Sequence, residues 1–125
     1  MRETVRALVV RADGKAFFVR HPEKNPADRL PDGLGRWATI GGGIEASDKD
    51  HIEALKREIE EEFGPEAVQN FRFGPKISLS VRPDRIDHFY AAHFQGERLE
   101  PVATQEIGAT RWVALDEAQS LDFFF

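Results

Sequence analysis

The sequence predicts an α+β domain, layered α/β/α, with one helix packed on a mixed β-sheet. Two observations point there: strand-like runs joined by turn residues lie on both sides of the middle of the chain, and the apolar period switches to helical spacing only once between them. At 125 residues the chain has room for one core, so residues 1–125 are expected to form a single domain. Apolar residues at 41% and charged residues at 31% give a globular balance, not a disordered one.

Val5 to Val10 and Lys15 to Arg20 are joined through Ala12, Asp13 and Gly14, and Asp-Gly between apolar runs signals a hairpin. His21 to Gly35 carries three Pro and two Gly and reads as a long surface loop, a length that often accompanies function. Arg36 to Ile40 returns as a short strand. After Gly41, Gly42 and Gly43, the residues Ile52, Leu55, Ile59 and Phe63 recur at helical spacing. Ser47 or Asp48 is placed to cap that helix, and Gly64-Pro65 stops it. Ile77, Leu79 and Val81 alternate with serines, Arg82 to Arg85 makes a Pro-Asp turn, and Ile86 to Phe94 completes a second hairpin. Ala109 to Val113 is a last strand, and Leu115 opens a short helix with Asp116 near its cap.

Composition excludes several classes. The longest apolar runs are too short to span a bilayer, so no membrane partner is expected. The start, MRETVR, has no signal-peptide character, and the absence of Cys excludes a disulfide framework, a thiolate-bound zinc and a cysteine nucleophile. A cytoplasmic protein is the expectation. The net charge of -5 is concentrated: Gly41 to Glu66 holds nine acids against three bases, leaving the rest of the chain at +1. Acid that dense repels nucleic-acid phosphate unless divalent cations intervene, so no stable nucleic-acid partner is expected.

At about 100° per residue, Glu58, Glu61 and Glu62 share one edge of the helix beside its apolar arc. Glu53, Lys56, Arg57 and Glu60 take the opposite side, spaced for Glu53–Arg57 and Lys56–Glu60 pairs. Like charges at these spacings destabilise a helix by roughly 0.2–0.5 kcal/mol per pair, and a divalent cation removes that penalty. All-oxygen ligands favour Mg²⁺ or Mn²⁺, and Mg²⁺ typically binds one or two carboxylates plus phosphate oxygens.

The stretch GGGIEASDKDHIEALKREIEEEFG resembles the Nudix box, GX5EX7REUXEEXGU, with U apolar. Arg57, Glu58, Ile59, Glu61, Glu62 and Gly64 match its second half. The match departs in its first half: the first motif Glu falls on Lys49 counted back from Arg57, or on Asp48 counted forward from Gly42, so the loop holds one extra residue. Pro65 stands at the last apolar position and Ile40 where many members have Pro. The resemblance implies a divalent-metal-dependent hydrolase that cleaves a phosphoanhydride of a nucleoside diphosphate linked to another moiety, on the Nudix fold. It implies Glu58, Glu61 and Glu62 as metal ligands, with a backbone carbonyl from Gly41 or Gly42, and Arg57 as the residue that orients carboxylates. Asp48 is either a support for the site or an N-cap. Glu106, six residues before Trp112, matches the acid that members place before the last core strand and is the expected general base; Glu97, Glu100 and Glu58 are its competitors.

Arg20, at the end of the second strand, is a candidate for a substrate phosphate, and Arg36 and Trp37 enter the glycine loop, where Trp37 is a candidate for stacking a base. His21, His51, His88 and His93 show no ligand spacing and receive no role. Only 13 residues follow Trp112, so the longer C-terminal helix of many members is expected to be short or missing. The ending Leu121-Asp-Phe-Phe-Phe is expected as a packed end or a contact in a homodimer. The small size favours a nucleoside triphosphate or simple nucleotide as substrate; a Nudix-like module that binds without hydrolysis is the alternative.

Overall fold

The computed structural model describes residues 1–118. Nine elements follow one another: β1 (Arg2–Arg11), β2 (Ala16–Arg20), β3 (Ile40–Gly43), α1 (His51–Phe63), α2 (Pro65–Val68), β4 (Phe71–Arg82), β5 (Arg85–Phe94), β6 (Ala109–Val113) and α3 (Leu115–Ala118). The strands form one mixed sheet in the order β4-β5-β1-β2-β6, with β3 paired to β1. Only β1 and β5 run parallel, Arg2 opposite Arg85 through Arg11 opposite Phe94.

Strand alternation divides the sheet. Val5, Ala7 and Val9 of β1, with Phe17 and Val19 of β2 and Ile40 of β3, pack against Ala54, Leu55, Ile59 and Phe63 of α1 in one buried cluster. On the other face, Ala16, Phe18 and Val113 form a smaller cluster with Leu8, Trp37 and Ala118. The expected α+β layering is present, and the helical period of α1 faces the sheet as predicted.

Four details differ from the sequence expectation. The strand after the long loop is Ile40–Gly43, so the glycines lie inside it instead of in a turn; Ala38 makes only an isolated bridge to Val19. The α1 cap is Asp50, whose carboxylate accepts from Glu53 N at 2.8 Å, because Asp48 is held elsewhere. The short helix α2 follows directly on Gly64, with Pro65 at its first position, where the ring is tolerated. Finally, β4 begins at Phe71, and Ile77, Leu79 and Val81 are exposed, because β4 is an edge strand. The expectations for Leu121 to Phe125 and for a longer C-terminal helix lie outside the described residues. Among the described residues, no helix is long and apolar enough to cross a membrane.

Candidate active site

The site begins where β3 lies beside α1. Gly42 pairs with Val5, and a Cβ added to Gly42 would sit 2.5–2.7 Å from the carboxylate atoms of Glu58. Glycine at this position lets the Glu58 side chain lie over the strand backbone. Gly41 has φ +148°, and its Cβ would meet the Val5 carbonyl at 2.0 Å, so no side chain fits there. The two glycines therefore do different things: Gly41 permits the pairing of β3 with β1, and Gly42 makes room for an acid.

Arg57 turns away from the outer face of α1 toward this edge. Its Nε and Nη2 donate to the two oxygens of Asp48, each at 3.0 Å, Nη2 also donates to Gly43 O at 2.8 Å, and Nη1 donates to Glu58 Oε1 at 3.0 Å. This bidentate clamp explains why Asp48 is not the cap, and it pulls the Asp48 carboxyl below its ordinary range. Asp48 also accepts from Glu45 N at 2.8 Å, which closes the loop carrying the extra residue. The expected Glu53–Arg57 pair is accordingly absent among the described interactions, and Glu53 faces Lys56 at 3.8 Å.

Glu62 is 5% exposed, and its Oε1 has no hydrogen-bond partner. Burial first, then the charges of Glu58 and Glu106, push its carboxyl up to about 8. Burial likewise raises Glu58, against the pull of Arg57. Glu61 differs: its side chain is 53% exposed and reaches only the edge of Arg57, at 3.4 Å. Of the three helix acids read as ligands, Glu58 lies over Gly42, Glu62 is buried within reach of the Glu58 charge, and Glu61 turns outward. Among the described residues no three acidic or imidazole groups converge closely enough to hold an ion by themselves.

Glu106 is exposed, in a turn that two anchors fix. The main-chain carbonyl of Glu62 accepts from Val102 N at 2.8 Å and Ala103 N at 3.2 Å, and the ring of His21 lies with Nδ1 2.9 Å from the Glu106 carbonyl. A carbonyl only accepts, so Nδ1 carries the hydrogen. His21, given no role from the sequence, thus ties the end of β2 to the loop bearing the expected base; histidine spacing within one element carries no signal of this.

The substrate candidates fare differently. Arg20 is fully engaged: it grips Asp32 through Nη1 and Nη2 at 2.7 and 2.8 Å and donates from Nε to Gly35 O at 2.7 Å. It fastens the long loop. Trp37 is half-buried against the smaller cluster, with Arg20 5.6 Å from its ring. Arg36 is exposed. Beside these, on the face opposite α1, lies an apolar cavity of about 460 Å³ bordered by Leu8, Phe18, Thr39, Phe89 and Ala118.

Fold and site together define a strand–helix platform whose available ligands are all oxygen. The NUDIX domain model matches residues 1–124, and the chain belongs to that family. It is 32% identical over 116 residues to an RNA pyrophosphohydrolase of Acidiphilium cryptum (strain JF-5), a match that covers 92% of this chain and 66% of that protein. The chain thus spans just under two thirds of that relative. Among solved structures, the E. coli ORF135 protein superimposes with a TM-score of 0.66 at 26% identity, covering 99% of this chain and 81% of that one. The NUDIX domain of Shewanella oneidensis NrtR, solved with ADP ribose, gives 0.66 at 16% identity over 97% of this chain and 77% of that one, a likeness of fold.

Proposed function

We propose that this chain is a Nudix pyrophosphohydrolase that cleaves a phosphoanhydride of a nucleoside triphosphate or other simple nucleotide with Mg²⁺ or Mn²⁺, in the cytoplasm. The observation that carries the proposal is the buried, unpartnered Oε1 of Glu62, one helical turn on from Glu58, whose carboxylate lies in the space that Gly42 leaves. A buried carboxylate without a partner is costly, and a hard cation is the partner its chemistry suits. Glu58 and Glu62 would hold the ion with a carbonyl of Gly41 or Gly42, and substrate oxygens would complete a set that two carboxylates leave open. Glu61 is then a peripheral ligand at most.

A divalent ion there supplies charge neutralisation for the polyphosphate and a more acidic water. The chain's own residues do the rest. Arg57 fixes the rotamer of Glu58 while its own charge is spent on Asp48. Glu106, held by His21 and by the Glu62 carbonyl, accepts the proton of the attacking water. The apolar cavity takes the nucleoside, with Phe18 and Phe89 as ring or edge contacts.

The test is a panel of nucleoside triphosphates, dinucleotides, nucleotide sugars, ADP ribose and 5′-triphosphorylated RNA with Mg²⁺ or Mn²⁺, read by phosphate or pyrophosphate release. Turnover of a triphosphate above the others is expected. A preference for ADP ribose or for the RNA end would replace the substrate assignment. Binding with no release from any member would favour the non-catalytic module, a second reading supported by the outward Glu61 and by Lys49 in the first acidic place of the motif.

A further inference from the structure

Most arginines with described partners here are well satisfied: Arg11 by Asp13, Arg20 by Asp32, Arg57 by Asp48, Arg85 by Asp87. Arg6 is the exception. It projects from β1 on the face opposite α1, beneath Gly41, whose added Cβ would lie 3.0 Å from Arg6 Cδ. Among the described interactions its guanidinium makes one hydrogen bond, a long one of 3.4 Å from Nη1 to Thr39 O. Burial disfavours its charge, and Asp87 and Glu62 restore part of it without touching it at salt-bridge distance.

Arg6 borders a small cavity of about 20 Å³ together with Arg82, Arg85, Asp87, Thr39 and Phe89. That volume admits one oxygen-sized group. Asp87, 2% exposed, is the cavity's only acid among the described residues, and it is already committed, accepting from Thr4 Oγ1 and from Arg85 Nε at 3.2 Å. Of the arginines that border it, Arg6 is the one whose single described hydrogen bond is long. The cavity shares Thr39, Arg82 and Phe89 with the 460 Å³ apolar cavity, and Arg6 pairs with Gly41 in the strand of glycines.

We propose that Arg6 is an anion subsite for the phosphate attached to the nucleoside, one of whose oxygens enters the small cavity. The subsite gives the substrate a direction: nucleoside in the apolar cavity, its own phosphate on Arg6, the outer phosphates toward Glu58 and Glu62. The direction rests on the hydrolase reading; the affinity for phosphate does not. A half-buried cation with a poor partner is also a selectivity device, because a ligand without an anion there leaves the guanidinium unsatisfied.

The experiment separates the two. In EDTA, with ionic strength matched by NaCl, millimolar inorganic pyrophosphate should raise the melting temperature of the wild type and of Arg72→Met, a control that removes the same charge from the exposed β4 surface. The rise should vanish in Arg6→Met and survive in part in Arg6→Lys; should Arg6→Met fail to fold, Arg6→Gln should abolish the rise in its place. With metal and the best nucleotide substrate, Arg6→Met should raise KM about ten- to a hundredfold, the scale of one charge-assisted hydrogen bond, with a smaller change in kcat. An equal rise in wild type and Arg6→Met, no rise in wild type, or its loss in Arg72→Met overturns the subsite. Arg6-dependent pyrophosphate binding in a protein that hydrolyses nothing would spare the subsite and sink the hydrolase.

Discussion

The two sides of α1 carry the same residue type in opposite circumstances. Toward β3, Glu58 and Glu62 are shielded from water and raised, and Glu62 reaches about 8 with an oxygen that nothing satisfies. Toward solvent, Glu53 and Glu60 are exposed, and Glu53 has Lys56 nearby. One helix thus holds acids that cost stability and acids that are nearly free, and the difference lies in the neighbouring strand rather than in the helix. Glycine at 42 lets Glu58 approach the strand, and Arg57 crosses to the inner side to hold it. An arrangement kept at the expense of stability points to a ligand that offsets it.

The contrast can be broken from its strong end. Glu62→Gln keeps the volume and removes the charge, so kcat should fall by two or more orders of magnitude while the fold is retained or strengthened; steady-state kinetics with a melting curve checks both. Glu106→Gln should lose most of kcat with metal affinity kept, and the acidic limb of the pH–rate profile should move; an unchanged kcat would return the base role to Glu58. Glu61→Gln should cost much less than Glu62→Gln, since Glu61 is turned outward, and Glu60→Gln should leave turnover as it was.

The glycines sharpen the same comparison from the strand side. Gly41→Ala places a Cβ against backbone, 2.0 Å from Val5 O at φ +148°, and should destabilise the fold by about 3 kcal/mol through overpacking and strain. Gly42→Ala meets only the side-chain end of Glu58 and no backbone, so it should lower metal affinity with a smaller change in melting temperature. If the two variants melt alike, the separate roles given to the glycines fail.

What the sequence showed was local. The helical period of Leu55, Ile59 and Phe63 and the Asp-Gly hairpin are set by residues near one another, and both stand in the structure. The glycine strand was invisible because three residues without side chains carry no period, and the cap was misassigned because Asp48 answers to Arg57, nine residues away. Arg20 read as available because its partner, Asp32, comes from the far end of an irregular loop. Arg6 drew no notice, since alternation with Val5 and Ala7 reads as a solvent-facing position until the neighbouring strands close over it. In the site, the role of Arg57 was legible only through the resemblance to the Nudix box, since spacing alone paired it with Glu53, and the difference between Glu61 and Glu62 depends on where β3 and the loop at Val102 lie.

The most direct measurement is the melting temperature of wild type and Glu62→Gln between pH 5 and 8, in EDTA and with Mn²⁺. The folded carboxyl of Glu62 titrates near 8, above its ordinary value of 4.5, so its contribution is fully present below about 4.5 and is lost as pH rises toward 8. In EDTA the wild type should therefore lose stability relative to Glu62→Gln as the pH rises, and Mn²⁺ should restore the wild type at pH 8 while giving the variant little. Wild type and variant that track each other across the whole range, with and without metal, would contradict the account.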